Sequence, residues 1–324
     1  MTATPGNPLP RPPLLESAAG RHALASASWR TSLAVLRGYG AEVDARDDHL
    51  VVRTPANPDY HWGNCLVVTS GDVDDAGGWL GVFEREFPEA THRALGLLRR
   101  PDERAWQEAG LAVEVERTFT ALSPITPAPV PPGYRVTPVR GLVWDALLRV
   151  ELAGGPDTAE HRRFATRRLA ADRAWVEAGH AEWFAALAPD DSVASSLGIV
   201  DVGGEARYQQ VGTGASHRRR GLARHLLGAA SEWAFARGVR QLVIVADVGQ
   251  GGELLYDAAG FTPGPVEYGV YAASMARSDK SVPDALEDGV YSAGNTAVGR
   301  EPGLRAFGDV NNAAAPGQAP GRGA

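Results

Sequence analysis

Apolar and polar positions between residues 134 and 273 fall into two periods. The stretch 134–140 alternates and predicts a strand. Residues 142–153 and 158–178 follow with helical spacing, and three strand-like runs come next, at 181–188, 192–202 and 206–213. From 220 to 236 apolar side chains recur at Leu222, Ala223, Leu226, Leu227, Ala230, Trp233 and Ala234, which predicts a helix stopped by Gly238. The β-branched run 241–246 predicts a buried strand. A short helix, 252–259, then ends at Gly260, and 261–273 predicts a last strand. The order is mixed α/β, with strands in two groups separated by helices.

The first half patterns less clearly. It predicts a helix over 22–36, strands within 43–53 and 65–68, and a helix over 78–87. A short helix reaches Gly110, and an alternating strand runs to 122. The stretch Trp106-Gln-Glu-Ala-Gly110-Leu111 has the same form as Tyr256-Asp-Ala-Ala-Gly260-Phe261: an aromatic on a short helix, a glycine stop, an apolar strand start. Helix–Gly–strand junctions are common, so this is either coincidence or a duplicated domain whose second copy kept its chemistry.

The prolines of 123–133 cannot occupy a helix interior or a central strand. They place a linker between a domain at 14–122 and another at 134–277. Residues 1–13 read as a flexible arm and 278–324, rich in Ala, Gly, Pro and Asn, as a disordered tail. With 324 residues and 44% hydrophobic content the chain can bury a core. A formal charge of −7 argues against nucleic acid or an anionic membrane as partner. Cys65 is the only cysteine, which rules out an intrachain disulfide and a four-cysteine zinc site. There is no signal pattern at the N-terminus and no apolar run near the ~20 residues of a membrane helix. The expectation is a cytoplasmic protein without metal. Lys280 is the only lysine, so an arginine cluster has to be judged by its position.

One cluster has such a position. After the strand that ends Val211-Gly-Thr213 come Gly214-Ala-Ser-His217, then Arg218, Arg219, Arg220, Gly221, Leu222 and Ala223, which open the helix. A helix N-terminus offers unpaired N–H groups and positive dipole, glycine admits a close ligand, and arginines add charge-assisted contacts to phosphate. The segment reads as a pyrophosphate cradle. It lacks the lysine of a P-loop and the third glycine of a dinucleotide fingerprint.

Arg218-x-x-Gly221-x-Ala223 resembles the coenzyme A signature of the GNAT N-acetyltransferase family, (Gln/Arg)-x-x-Gly-x-(Gly/Ala). Tyr256-Asp-Ala-Ala-Gly260-Phe261 resembles the Tyr-x-x-x-Gly-Phe segment of the same family. The resemblance covers about 134–273. It implies a mixed β-sheet flanked by helices, in tandem with a degenerate N-terminal copy. It further implies acetyl-CoA as acyl donor and an N-acetyltransferase in which a primary amine attacks the thioester directly. The alternative it leaves open is a non-catalytic acyl-CoA-binding regulatory module. Carried over by position, backbone groups of Val211 and Thr213 would meet the pantetheine arm. The N–H groups from Arg218 through Arg219, Arg220, Gly221 and Leu222 to Ala223 would hold the pyrophosphate. Tyr256 would donate to the departing sulfur. Arg207 stands where the family often has its basic glutamate; Glu205, two residues earlier, is the candidate base or else a solvated turn residue, with Glu182 and Asp247 as alternatives. The expected partner is a small-molecule or amino-acid-like amine, and a homodimer is left open. Trp106 in the Tyr256-like place implies that the first half does not bind coenzyme A. The aromatic stretch Asn57 to Cys65 reads either as lining for an acceptor pocket between domains or as cover for a sheet edge. The charges from Glu160 to Arg173 read as a solvated helix face.

Overall fold

Serine placement shapes the first helices. Ser17 caps helix α1 (Ala18–Ala25), its hydroxyl accepting from the N–H of Gly20. Ser26 is extended, ends α1 and caps α2 (Ala27–Gly38) through the N–H of Trp29. The single helix expected over 22–36 is therefore two. A computed structural model describes residues 13–273; the expected N-terminal arm lies almost wholly, and the C-terminal tail wholly, outside them. The strand region 43–53 is a hairpin of β1 (Glu42–Ala45) and β2 (His49–Arg53), because the backbone turns at 46–49. It is followed by β3 (Cys65–Val68), α3 (Ala76–Glu86), β4 (Arg93–Leu97), α4 (Glu103–Glu108) and β5 (Ala112–Ala121). Strand β4 has no clear sequence pattern. Its Gly96 leaves room for the Trp29 indole, which a Cβ there would meet at 2.0 Å.

The second half repeats this order: β6 (Arg135–Pro138), α5 (Val143–Gly154), α6 (Ala159–Glu177), β7 (Ala181–Leu187), β8 (Val193–Asp201), β9 (Glu205–Thr213), α7 (Leu222–Phe235), β10 (Gln241–Asp247), α8 (Gly251–Ala259) and β11 (Thr262–Ala272). Apart from β6, each element has a counterpart at the same place in the first half. The faint match of the Trp106 and Tyr256 segments is thus part of a repeat of the whole element order.

The two halves do not form separate sheets. The strand order is β1-β2-β3-β4-β11-β5-β10-β9-β8-β7-β6. Each half gives its last strand to the other: β11 pairs antiparallel with β4, β5 pairs antiparallel with β10, and β5 and β11 pair with each other. The division at 123–133 holds for the chain but not for the sheet. The linker itself packs on α7, where Ser231 accepts from the N–H of Ile125 at 2.7 Å and a Cβ at Gly228 would meet Pro127 at 2.5 Å.

One apolar layer, with Trp29, Leu33, Trp144, Phe164 and Trp175, lies under α1, α2, α5 and α6 and spans both halves. The opposite face is covered in two parts, by α7 and α8 over the second half and by α3 and α4 over the first. Helix α2 crosses the junction and packs on β9 and β10. It is fixed there by the Trp175 indole N–H donating to the Gly38 carbonyl at 2.7 Å and by Arg30 gripping Glu205. No helix of the described residues is long and apolar enough to cross a membrane.

Candidate active site

Strands β9 and β10 run parallel but stay paired only through Gln241↔Glu205, Leu242↔Ala206 and Val243↔Arg207. Both continue, to Thr213 and Asp247, with no register between them. On its other side β9 remains paired to β8, with a skip between Gly198↔Gln209 and Ser196↔Gly212. Gln210 sits in that skip with φ +51°, a left-handed conformation uncommon outside glycine. Such a bulge bends a strand and sharpens its twist. The outcome is a V-shaped gap in the sheet, whose edges can accept an extended polar chain as a pseudo-strand.

The bulge is held from beneath. The Gln210 side chain accepts from Arg168 Nη2 at 3.0 Å and donates to Asp172 Oδ2 at 3.0 Å. Asp172 also accepts from the Tyr39 hydroxyl, and Arg168 pairs with Glu151 at 3.0 Å. Burial pushes the Asp172 carboxyl up to about 6, against the pull of Arg168. The expected solvated face of α6 is therefore corrected in part: Arg168, Asp172 and His161 are buried, and Tyr39 of the first half closes over Asp172.

Below the open end of the gap lies the arginine loop. Gly221 caps α7 with φ +82° and no side-chain cap, and Arg219 has φ +56°. Alternation of ordinary and left-handed residues turns successive N–H groups toward one spot, and the uncapped first turn of α7 adds its own. A cleft of about 280 Å³ opens here. Val211, Thr213, Arg218, Arg219, Gly221, Leu222 and Ala223 line it, and Gly251 and Gly252 at the start of α8 form the facing wall. Arg220 does not line it; its guanidinium turns back to the Ser216 carbonyl at 3.4 Å. Arg224, one turn into α7, does. Sequence reasoning stopped at Ala223 and missed it, although Arg224 follows Gly221 at the i, i+3 spacing that shares a helix face.

Tyr256 is fully buried, edge-on to Phe119 and Phe261, and its hydroxyl has no hydrogen-bond partner. Burial drives its pKa upward, so it stays a neutral O–H donor. It is not on the cleft wall, where its neighbour Leu255 is. The Gln209 side chain is also buried with an unpartnered Nε2, a second donor on the strand that borders the gap. Nothing in a one-dimensional pattern marks it.

Glu205 is not at the gap. It starts β9, at the end opposite Thr213, and both its oxygens are held by Arg30 at 2.6 and 2.7 Å. The sequence count put it on the right strand and face but not at the right height. Glu182 is likewise tied to Arg140 through two bonds, at 2.6 and 2.7 Å. Asp247 ends β10 beside the gap and stands directly opposite Glu116 of β5. Glu116 was not a sequence candidate, because only the strand exchange brings it here. Arg207 is buried under α2, near the hydroxyls of Ser28 and Thr31 at 3.5 and 3.3 Å, and burial lowers its pKa to about 10.

The equivalent place in the first half is closed. Strands β3 and β4 pair from Leu66↔Leu95 to Val68↔Leu97, and the Leu98 N–H continues to the Val68 carbonyl. The loop into α3 carries Asp72, Asp74 and Asp75 in place of arginines. The Trp106 indole N–H donates to the Val73 carbonyl at 2.9 Å. The strands stay paired there, and the loop's charge has the wrong sign for a phosphate chain. Among the described residues no group of His, Cys, Asp and Glu is arranged to hold a metal ion.

Residues 144–261 match the acetyltransferase (GNAT) family model. No curated protein matches the chain significantly. Among solved structures, a GCN5-related N-acetyltransferase from Kribbella flavida is similar over 75% of this chain and 94% of its own, at 14% identity and a TM-score of 0.53. A GCN5-related N-acetyltransferase from Sphaerobacter thermophilus covers 80% and 90%, at 18% identity and a TM-score of 0.52. A functionally unknown conserved protein from Staphylococcus epidermidis covers 72% and 95%, at 13% identity and a TM-score of 0.58. At these identities the likeness is one of fold, and it extends over both halves. The gap, the arginine loop and Tyr256 all fall within residues 144–261, which form a domain matching the GNAT family model, built into one sheet with a first half of similar fold.

Proposed function

We propose that the protein is an acetyl-CoA-dependent N-acetyltransferase that moves the acetyl group to a primary amine. The observation that carries this is the parting of β9 and β10 directly above an uncapped, arginine-flanked helix start. Pyrophosphate on the loop and pantetheine along the freed edge of β9 would bring the thioester to the vertex of the gap. There the nitrogen lone pair attacks the carbonyl carbon, the C–N bond forms and the C–S bond breaks. A backbone N–H on the gap edge steadies the carbonyl oxygen while it carries negative charge. The Tyr256 hydroxyl is the donor for the departing sulfur, and a ligand in the gap would supply the partner it lacks. The ammonium gives up one proton before attack and a second as the amide forms. One goes to the thiolate and one to solvent, passed by water to the Asp247–Glu116 pair. A cytoplasmic setting, where a lone thiol such as Cys65 stays reduced, suits this reading.

The test is thiol release from acetyl-CoA with a panel of primary amines. Release above hydrolysis with at least one amine, lost in Gly221→Glu, is expected. Binding of acetyl-CoA without release for any amine would make the protein a non-catalytic acyl-CoA-binding module instead.

A further inference from the structure

A Cβ crowds the backbone in the left-handed region, so a glutamine there needs a reason. Gln210 holds φ +51°, and such a conformation persists only where the surroundings fix it. The side chain supplies the hold. Its carbonyl oxygen accepts from Arg168 Nη2 at 3.0 Å, and its Nε2 donates to Asp172 Oδ2 at 3.0 Å. A guanidinium only donates and an ionised carboxylate only accepts, so the amide has one orientation and cannot turn over. Arg168 and Asp172 lie four residues apart on α6, share a face and are both buried. Each has an anchor of its own. Arg168 pairs with Glu151 of α5 at 3.0 Å. Asp172 accepts from the hydroxyl of Tyr39, the residue that ends α2. The clamp on Gln210 is therefore tied to both halves of the chain.

The clamp bears on the cleft through strand register. Between the pairs Gly198↔Gln209 and Ser196↔Gly212, β8 moves from 198 to 196 while β9 moves from 209 to 212. Strand β9 thus carries one extra residue. Successive N–H groups of a strand point alternately to its two edges. The extra residue decides which N–H groups of 211–213 face β8 and which face the gap. Val211 and Thr213 line the cleft just beyond it. If Gln210 relaxed to an ordinary φ and the bulge were lost, every later residue of β9 would move by one place, and donors now aimed at the gap would turn to the other edge.

We propose that Arg168 and Asp172 are positioning residues for acetyl transfer: by gripping the Gln210 amide they set which N–H groups of β9 face the thioester. The inference rests on the acetyltransferase reading. Neither residue lines the cleft; both act through Gln210. Through Tyr39 the first half takes part in the chemistry of the second, although its own loop carries aspartates in place of arginines.

The experiment exchanges donor and acceptor within the clamp. Gln210→Glu keeps the shape and the bond from Arg168 but sets a carboxylate against Asp172. Adding Asp172→Asn restores that bond in the reverse direction, the new amide donating to the new carboxylate, and leaves an oxygen for the Tyr39 hydroxyl. Thiol release by the full chain, with the amine that gives most release, yields kcat and the KM for acetyl-CoA at about pH 8, where Asp172 is ionised. Hydrogen exchange of the backbone amides of 209–213 is followed alongside. Gln210→Glu should lower kcat by at least about tenfold, change KM by less than about threefold because the arginine loop is untouched, and speed the exchange. The double variant should return to within about threefold of wild-type kcat and regain protection. Asp172→Asn alone weakens charge-assisted bonds and should lower kcat, so one substitution harms wild type and helps Gln210→Glu. A change of the same sign in both backgrounds, or wild-type kcat in Gln210→Glu, would overturn the clamp. Should Gln210→Glu not fold, a folded double variant with kcat down by about tenfold or more would overturn it, and one near wild type would support it. No thiol release by wild type from any amine, with exchange that rises in Gln210→Glu and falls back in the double variant, would keep the hold on the bulge and overturn the acetyltransferase reading.

Discussion

Gly221 is where the cofactor reading can be broken most directly. Its φ of +82° costs an L-residue about 1–2 kcal/mol. A Cβ there has space within the protein, the nearest atom being Ala128 Cβ at 3.6 Å. Gly221→Ala should therefore fold, with a melting temperature lower by a few degrees. Gly221→Glu adds a carboxylate at the mouth of the phosphate cradle. At about 5 Å from one phosphate charge and an effective dielectric near 20, repulsion is about 3 kcal/mol, or more than a hundredfold in Kd. Acetyl-CoA at ~100 times its dissociation constant stabilises wild type by ~2.7 kcal/mol. With Kd raised ~150-fold, the same concentration gives only ~0.3 kcal/mol. Thermal melts of the three proteins with and without acetyl-CoA read this out. The expected order of ligand-induced shift is wild type, then Ala, then Glu near zero. A Glu variant that keeps the full wild-type shift would show that the phosphates lie elsewhere and would remove the basis of the functional proposal.

Three further outcomes are expected. Tyr256→Phe removes a buried hydroxyl without a partner, so stability should hold or rise by up to about 1 kcal/mol, while thiol release falls by roughly 10–100-fold; full activity in a stable variant would make Tyr256 a packing residue. Glu205→Gln loosens a half-exposed pair between α2 and β9 and should cost no more than about 1 kcal/mol in urea melts, with kcat unchanged; a fall of about a hundredfold would restore it as the base. Asp172 has its carboxyl raised by burial from 3.8 to about 6. The fold therefore binds the proton more tightly than the unfolded chain, and this residue's contribution declines as pH rises through that window. Across it, the stability of wild type relative to Asp172→Asn should fall by about 3 kcal/mol and level off above. A flat difference in denaturant melts from pH 4 to pH 7 would contradict the buried network under Gln210.

Much of the second half was legible because its signals are local. Helical spacing from Leu222 to Ala234, the stop at Gly238 and the β-branched run before Asp247 each specify an element within a dozen residues. The cradle was legible for the same reason: a positive-φ glycine, its arginines and the helix they open are neighbours in the chain. What failed was distance-blind. Counting back from Arg218 gave Glu205 a plausible face, yet the salt bridge from Arg30 belongs to a helix of the other half. The charges of α6 looked solvated until α2 and Tyr39 covered them. Strand β4 was missed because its Arg-Ala-Leu-Gly-Leu run is too short to show a period and its glycine serves Trp29.

Residue order by itself determined most elements of the second half and the loop that suits a pyrophosphate, because these depend on backbone propensities and caps that act over a few residues. Tertiary structure alone decided that the halves trade their last strands, that β9 and β10 part at Arg207, and that Glu116 stands opposite Asp247. The strand exchange rests on pairings between residues more than a hundred positions apart, and the parting of β9 and β10 on a register that spans a whole helix between them. Their energies come from burial and register, which no local pattern records.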